Sequence, residues 1–141
     1  MNKRFFLTLF AYFVATMATA FPWHMILFHE KYVAMGAFTR GQPIMPLGML
    51  AIILQAIVFA YFFPIYYRHV GGGNPIALGI RFSLILGILV WTVMVFATAA
   101  KFTIEPVSDF ILLGTAFQLL QFVAVGIAIG LTHRSAIKAI D

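Results

Sequence analysis

The fold is decided by the stretch IALGIRFSLILGILVWTVMVFATAA, residues Ile76–Ala100, which holds one charged residue, Arg81, in 25 positions. A helix needs about 20 largely apolar residues to cross the hydrocarbon core of a bilayer. Arg81 lies about five residues from the start of the run, so its long side chain reaches the headgroup region. The stretch therefore predicts a membrane-spanning helix.

Three further stretches share this length and composition, at Phe5–Phe28, Ile44–Tyr67 and Ser108–Leu131. The four stretches take up 97 of the 141 residues, which leaves too few for a second domain. We therefore predict an all-α, polytopic membrane protein. It is a single membrane domain, residues 1–141, folded as an antiparallel bundle of four transmembrane helices. The segment His29–Pro43 is long enough to form a short interfacial helix or lid.

The composition excludes several other classes of protein. Of the residues, 63% are hydrophobic and 9% are charged, whereas a soluble domain has about 25% charged residues. An ordinary soluble globule, a disordered chain and a coiled coil are therefore excluded. Cysteine is absent from the sequence, which excludes disulfides, thiolate metal sites and cysteine nucleophiles.

The first span has some features of a secretory signal peptide. Lys3 and Arg4 precede the apolar run, and Ala18-Thr19-Ala20 imitates a cleavage site. The apolar run nevertheless continues past that site as far as Phe28. We therefore predict an uncleaved helix, with a kink at Pro22.

The charged residues are distributed unequally between the two sides of the predicted bundle. One side has six basic residues against one acid, and the other side has three of each. Segments rich in Lys and Arg stay in the cytoplasm, so we predict a multi-pass protein of the plasma (inner) membrane with both termini cytoplasmic. The basic side comprises Lys3, Arg4, Arg68, Arg81, Arg134, Lys138 and Asp141, and the balanced side Lys31, Arg40, Lys101, Glu30, Glu105 and Asp109.

The pattern L-G-x5-L-Q occurs twice, at Leu47–Gln55 and Leu113–Gln121, 66 residues apart. One interpretation is a duplication of a helical hairpin, with repeats 1–70 and 71–141 related by an axis along the membrane normal. The other is chance in a sequence rich in Leu and Gly.

Polar side chains occur near the middle of the spans. An amide without a partner in hydrocarbon costs several kcal/mol, so we expect these groups to face the bundle interior. They serve either as hydrogen bonds between helices or as a polar site or narrow pathway. The layer comprises Gln55, Gln118, Gln121, Thr16 and Thr92.

Small residues recur every four positions in the third and fourth spans, a spacing that lets helix backbones approach closely. We predict that they mediate packing, within the chain or between two copies. These residues are Gly79, Ser83, Gly87, Gly126 and Gly130.

A second polar cluster is predicted at the outer surface. Imidazoles and carboxylates together can bind a divalent metal or move protons. His24 and His29, however, are five residues apart and diverge on a helix. The alternative is an ordinary solvated interface, and we predict no metal site and no catalytic residue. The cluster comprises His24, His29, Glu30, Glu105 and Asp109.

Apart from Asp109, the second residue of the fourth span, the spans contain no Asp or Glu, which disfavours proton-coupled exchange on a buried carboxylate. Histidine is absent from the midplane, which disfavours haem ligation and di-iron chemistry across the bilayer. We therefore predict no cofactor.

The chain resembles small bacterial four-helix membrane proteins without an assigned activity. The features that carry this resemblance are the span lengths, Pro22-Trp23 at the end of the first span, and the placement of Gly and Gln in the fourth span. That resemblance implies no substrate and no catalytic residue. The expected function is non-enzymatic, either an accessory or assembly role or lipid binding. The alternatives are a small-solute channel or carrier that uses the glutamine layer, and an enzyme with an outer-face His/Glu/Asp site. The expected partners are the lipid bilayer and either a second copy or a larger membrane complex, not nucleic acid.

Overall fold

The computed structural model describes residues 3–134, of which 83% are helical. The described residues contain no strand, and the predicted all-α fold with four membrane-length helices is confirmed. Lys138 and Asp141 lie outside the described residues. The helices long and apolar enough to cross a membrane are Lys3–Leu27, Met45–His69, Pro75–Lys101 and Val107–Leu131.

Two of these helices change their winding close to one end. The first consists of α1, Lys3–Phe21, and a π-helical turn, Pro22–Leu27. The short helix α2, His29–Ala34, follows and lies in the segment where the sequence predicted an interfacial helix. The second spanning helix is α3, Met45–His69. The third consists of α4, Pro75–Trp91, a second π-helical turn, Thr92–Ala97, and α5, Thr98–Lys101; the fourth is α6, Val107–Leu131.

The turn between α3 and α4 follows from local residue chemistry. Gly71, Gly72 and Gly73 have φ values of 78°, 75° and 131°, which favour glycine. Asn74 then caps α4, because its Oδ1 accepts hydrogen bonds from the backbone N–H groups of Ile76 and Ala77 at 3.0 and 3.4 Å. This turn and residue Lys3 lie at one end of the bundle, here called the terminal end. The π-helical turns and α2 lie at the opposite end, here called the loop end.

The bundle is built around α6. This helix packs against α4 along its length and also against α1, whose other neighbour is α3. In its most apolar window 44% of the residues are buried, against 22% in each of the other three spanning helices. Contact between α3 and α4 is slight, so α6 holds the bundle together.

The core has two parts. In the terminal half, aromatic rings fill the space between the helices, and the side chains of Tyr12, Phe59, Phe63, Phe82 and Phe122 are buried there. In the loop half, Tyr32, Met35, Ile104 and Phe110 form a separate cluster under α2. The buried core is therefore divided between the two ends of the bundle.

A series of hydrogen-bonded side chains connects α1 with the residues just after α6, at the terminal end of the bundle. The hydroxyls of Thr8 and Thr132 lie 2.9 Å apart, and the Thr132 hydroxyl lies 2.9 Å from Nδ1 of His133. The His133 ring packs edge-on against Phe63, 4.8 Å between centroids. Burial lowers the pKa of His133 below its ordinary value, so the imidazole is neutral near pH 7.

Candidate functional site

The two π-helical turns shape the loop end of the bundle. Pro22 has no backbone N–H to donate within α1, so the ladder of hydrogen bonds is rearranged after it. The N–H of Phe28 accordingly reaches the carbonyl of Trp23, 3.0 Å away and five residues back. In the third spanning helix the Thr98 hydroxyl donates to the carbonyl of Val93 at 3.1 Å. Such π-helical turns widen a helix and occur frequently at functional sites.

A cavity of about 200 Å³ lies between these two turns, against α6 and the segment after α2. Five of the eleven lining residues carry rings, and Ala37 and Gly114 are small. Its lining comprises His24, Tyr32, Ala37, Phe38, Met94, Val95, Thr98, Phe110, Gly114, Phe117 and Gln118.

Two polar atoms in this lining are buried and have no hydrogen-bond partner among the described residues. They are Nδ1 of His24 and Oε1 of Gln118. The side chain of Gln118 is 8% exposed. Leaving a buried polar group unpaired costs about 1–3 kcal/mol, and native structures rarely leave such groups unexplained. Both residues line the cavity, so a ligand bound there is a candidate partner for these two atoms.

The aromatic wall is fixed by contacts among its own rings. The Tyr32 and Phe38 rings stack, with centroids 5.1 Å apart and planes 23° apart. The His24 ring packs edge-on against Phe117 at 4.3 Å, and Trp23 donates a hydrogen bond to the Tyr32 hydroxyl at 3.2 Å. Burial raises the pKa of Tyr32, so its hydroxyl stays neutral. Among the described residues, no Lys, Arg, Asp or Glu lines the cavity.

The structure separates the residues of the predicted outer-face cluster. His24 points into the cavity, whereas His29, Glu30, Glu105 and Asp109 are exposed. Within residues 3–134, no three His, Asp or Glu side chains come close enough to hold a metal ion. The physical reason is the π-helical turn after Pro22, which rotates His24 toward α6 and away from the surface.

The residues of the predicted polar layer lie in different environments. Gln55 accepts a hydrogen bond from the Tyr12 hydroxyl at 2.7 Å, while Gln118 lines the cavity and Gln121 is buried within the bundle. Thr16 is buried as well, but Thr92 is exposed on the outside of the bundle. The Thr92 hydroxyl is satisfied by its own helix, because it donates to the carbonyl of Leu89 at 2.9 Å.

The predicted packing residues lie where α4 meets α6. A methyl group at Gly79 would overlap the carbonyl of Gly126, and one at Gly130 would overlap the backbone of Pro75 and Ile76. Gly87 leaves room for the Phe122 ring, and Ser83 is fully buried. The contact within the chain therefore occupies all five of these positions.

Sequence reasoning missed Tyr12 and the aromatic wall. Tyr12 lies four residues before Thr16, so the helical period puts both polar groups on one face, and this signal was available. Phe38 and Phe117 are two of 16 phenylalanines, and nothing in the sequence distinguishes ring-wall residues from those that face lipid.

The Tyr12–Gln55 hydrogen bond provides a test of the polar layer. We expect Tyr12→Phe to lower the free energy of unfolding by about 1 kcal/mol, between the average of about 0.6 and the maximum of about 1.7 kcal/mol measured for hydrogen bonds between membrane helices. Tyr12→Phe combined with Gln55→Leu should cost less than the sum of the two single changes, because neither partner is then left unpaired. The measurement is reversible unfolding in mixed micelles.

The matched control for this cycle is Tyr61→Phe, because the Tyr61 side chain is 60% exposed on the outside of α3. This control should leave the unfolding free energy unchanged. Strictly additive effects of Tyr12→Phe and Gln55→Leu would show that the two groups do not interact.

Comparison of the chain with protein-family models, curated proteins and solved structures finds no match. The geometry of the cavity therefore carries the functional argument.

Proposed function

We propose that this small membrane protein is a non-enzymatic lipid-binding protein, and that the cavity at the loop end holds the polar head of one membrane-soluble molecule. The observation that carries this proposal is the pair of unpaired polar atoms, Nδ1 of His24 and Oε1 of Gln118, in a cavity walled by aromatic rings. A ligand that forms hydrogen bonds with both atoms removes their desolvation cost.

The cavity adjoins the surface that faces lipid. Met94 lines the cavity, yet its side chain is 55% exposed. The beginning of α3 is also exposed, with Met45 at 53%, Leu47 at 61% and Leu50 at 51%. A lipid therefore has a lateral route to the cavity past Met94.

The observations favour this role over a polar pathway across the membrane. The rings of Phe59, Phe63, Phe82 and Phe122 fill the terminal half of the bundle. The Phe59 and Phe122 rings stack at 6.2 Å, and the Phe59 and Phe82 rings pack edge-on at 5.5 Å. A solute that left the cavity toward the terminal end would meet this aromatic layer.

Bound lipid provides the direct test. The protein is purified in mild detergent, and its bound molecules are identified by native mass spectrometry. We expect one bound amphiphile per chain, and a loss of about tenfold in its occupancy when His24→Phe and Gln118→Leu are combined, because about 1.4 kcal/mol of lost binding energy is tenfold in affinity.

The matched control for bound lipid is Thr92→Val, which removes a polar group on the outside of the bundle. It should leave the occupancy unchanged. Equal occupancy in the double variant and the control, in samples that stay monodisperse, would contradict the proposed site.

We further propose that the protein resides in a bacterial inner membrane with the terminal end in the cytoplasm. The positive-inside rule supports this orientation, because Lys3, Arg4 and Arg68 lie exposed at the terminal end. A periplasmic reporter such as alkaline phosphatase, fused after Gly41, should be active. The same reporter fused after Gly72 should be inactive, and the reverse pattern would overturn the orientation.

A further inference from the structure

We propose that the head of the bound lipid is a flat, uncharged ring with oxygen atoms at two of its edges, which is the chemistry of isoprenoid quinones and quinols. This inference rests on the proposed lipid-binding function and names its ligand class. It follows from the lack of charge, the shape and the hydrogen-bonding atoms of the cavity at the loop end.

The lining is uncharged, and this excludes the common phospholipid heads. No Lys, Arg, Asp or Glu side chain lines the cavity among the described residues, and Glu30, Glu105 and Asp109 are exposed. A phosphate or ammonium group placed there would lose its hydration without gaining a counter-charge, which is strongly unfavourable. The head of the ligand is therefore neutral.

The size and the walls of the cavity fit a single ring. A cavity of about 150 Å³ lined by apolar side chains holds benzene, so the 200 Å³ here holds a ring that carries oxygen substituents. The Tyr32–Phe38 stack and the Phe117 ring offer aromatic faces and edges. Aromatic rings prefer offset-stacked or edge-on contacts with one another, so such a wall selects a flat ring over a flexible glycerol head.

The two unpaired polar atoms match both redox states of such a ring. The hydroxyls of a quinol donate to Oε1 of Gln118 and to Nδ1 of His24 in the tautomer that accepts. The carbonyls of a quinone accept from the Gln118 amide N–H after rotation of the amide, and from Nδ1–H in the other tautomer. The tail then leaves the cavity past Met94 into the lipid.

The experiment uses tryptophan fluorescence, because quinones quench it on contact. The chain has two tryptophans, Trp23 and Trp91, and Trp91→Phe leaves only Trp23, which packs 5.8 Å from the Phe117 ring. The protein is placed in nanodiscs of phospholipid without quinone and titrated with decylubiquinone. We expect saturable quenching of Trp23 at one quinone per chain. His24→Phe with Gln118→Leu should weaken binding about tenfold.

A second variant and a competitor keep the ring inference separate from the proposed function. Phe38→Leu alters one stacked face without removing a polar group, so it should weaken binding of decylubiquinone and leave occupancy by dioleoylglycerol unchanged. If dioleoylglycerol binds at His24 and Gln118 and decylubiquinone does not, the ring inference is overturned while the lipid-binding function stands. If neither binds and no lipid copurifies, both are overturned.

Discussion

Replacement of Gly126 by alanine should lower the free energy of unfolding by about 3 kcal/mol, the upper end of the range for overpacking a filled core. A methyl group at this position would lie 2.7 Å from the backbone nitrogen of Ile80 and 2.9 Å from the carbonyl carbon of Gly79. These are backbone atoms, so no rotamer change relieves the overlap. The helices α4 and α6 would have to separate, and α6 would lose its most extensive contact.

The change is measured by reversible unfolding in mixed micelles, followed by tryptophan fluorescence. The matched control is Gly48→Ala in α3, where an added methyl group would meet nothing within 4 Å. Alanine favours a helix more than glycine does, so this control should be neutral or stabilising. Equal losses in the two variants would mean that helix propensity, rather than the close approach of α4 and α6, determines the effect.

Phe122→Ala is expected to cost about 2–3 kcal/mol, less than the roughly 3–5 kcal/mol typical of this change in a water-soluble core. The Phe122 side chain is 2% exposed, and its ring fills the space above Gly87. Lipid is as apolar as the core, so the change loses packing contacts but little transfer free energy. The expected loss is therefore mainly the cost of a cavity.

The control is Phe62→Ala, because the Phe62 side chain is 49% exposed on the outside of α3 and lipid replaces the lost ring. Its unfolding free energy should change by less than about 1 kcal/mol. A second double variant, Gly87→Ala with Phe122→Leu, tests the fit directly. The smaller side chain at 122 should relieve part of the overlap that Gly87→Ala alone would create, and no such relief would contradict the packing at this position.

The four spans could be predicted from the sequence because length and apolar composition alone determine whether a helix crosses a bilayer. The direction in which the polar side chains point could not be predicted in the same way. Thr16 is buried and Thr92 is exposed, although both lie in helices that are apolar on every side. Lipid and core are equally apolar, so the sequence of such a helix carries little signal for the face that packs inward.

The cavity could not be predicted from the sequence either. Pro22 predicted a kink, and a π-helical turn begins there. The second π-helical turn begins at Thr92, where neither proline nor glycine marks the change. His24 and Gln118 both line the cavity, and their spacing along the chain does not predict this.

The hairpin duplication stays a prediction, and one observation agrees with it. The π-helical turns begin at Pro22 and Thr92, so they stand at corresponding places in the first and third spanning helices, 70 residues apart. The L-G-x5-L-Q patterns are 66 residues apart. A connection four residues longer in the first hairpin accounts for the difference between the two offsets.

The central place of α6 has a consequence for biosynthesis. Membrane helices insert one by one and then associate within the bilayer, and α6 is the last of the spanning helices to leave the ribosome. Until it arrives, the glycine face of α4 has only lipid beside it, and α1 lacks one of its two neighbours. The contact between α1 and α3 can form as soon as α3 is inserted. The helix α4 joins the bundle only when α6 follows it, because α6 provides its main contact.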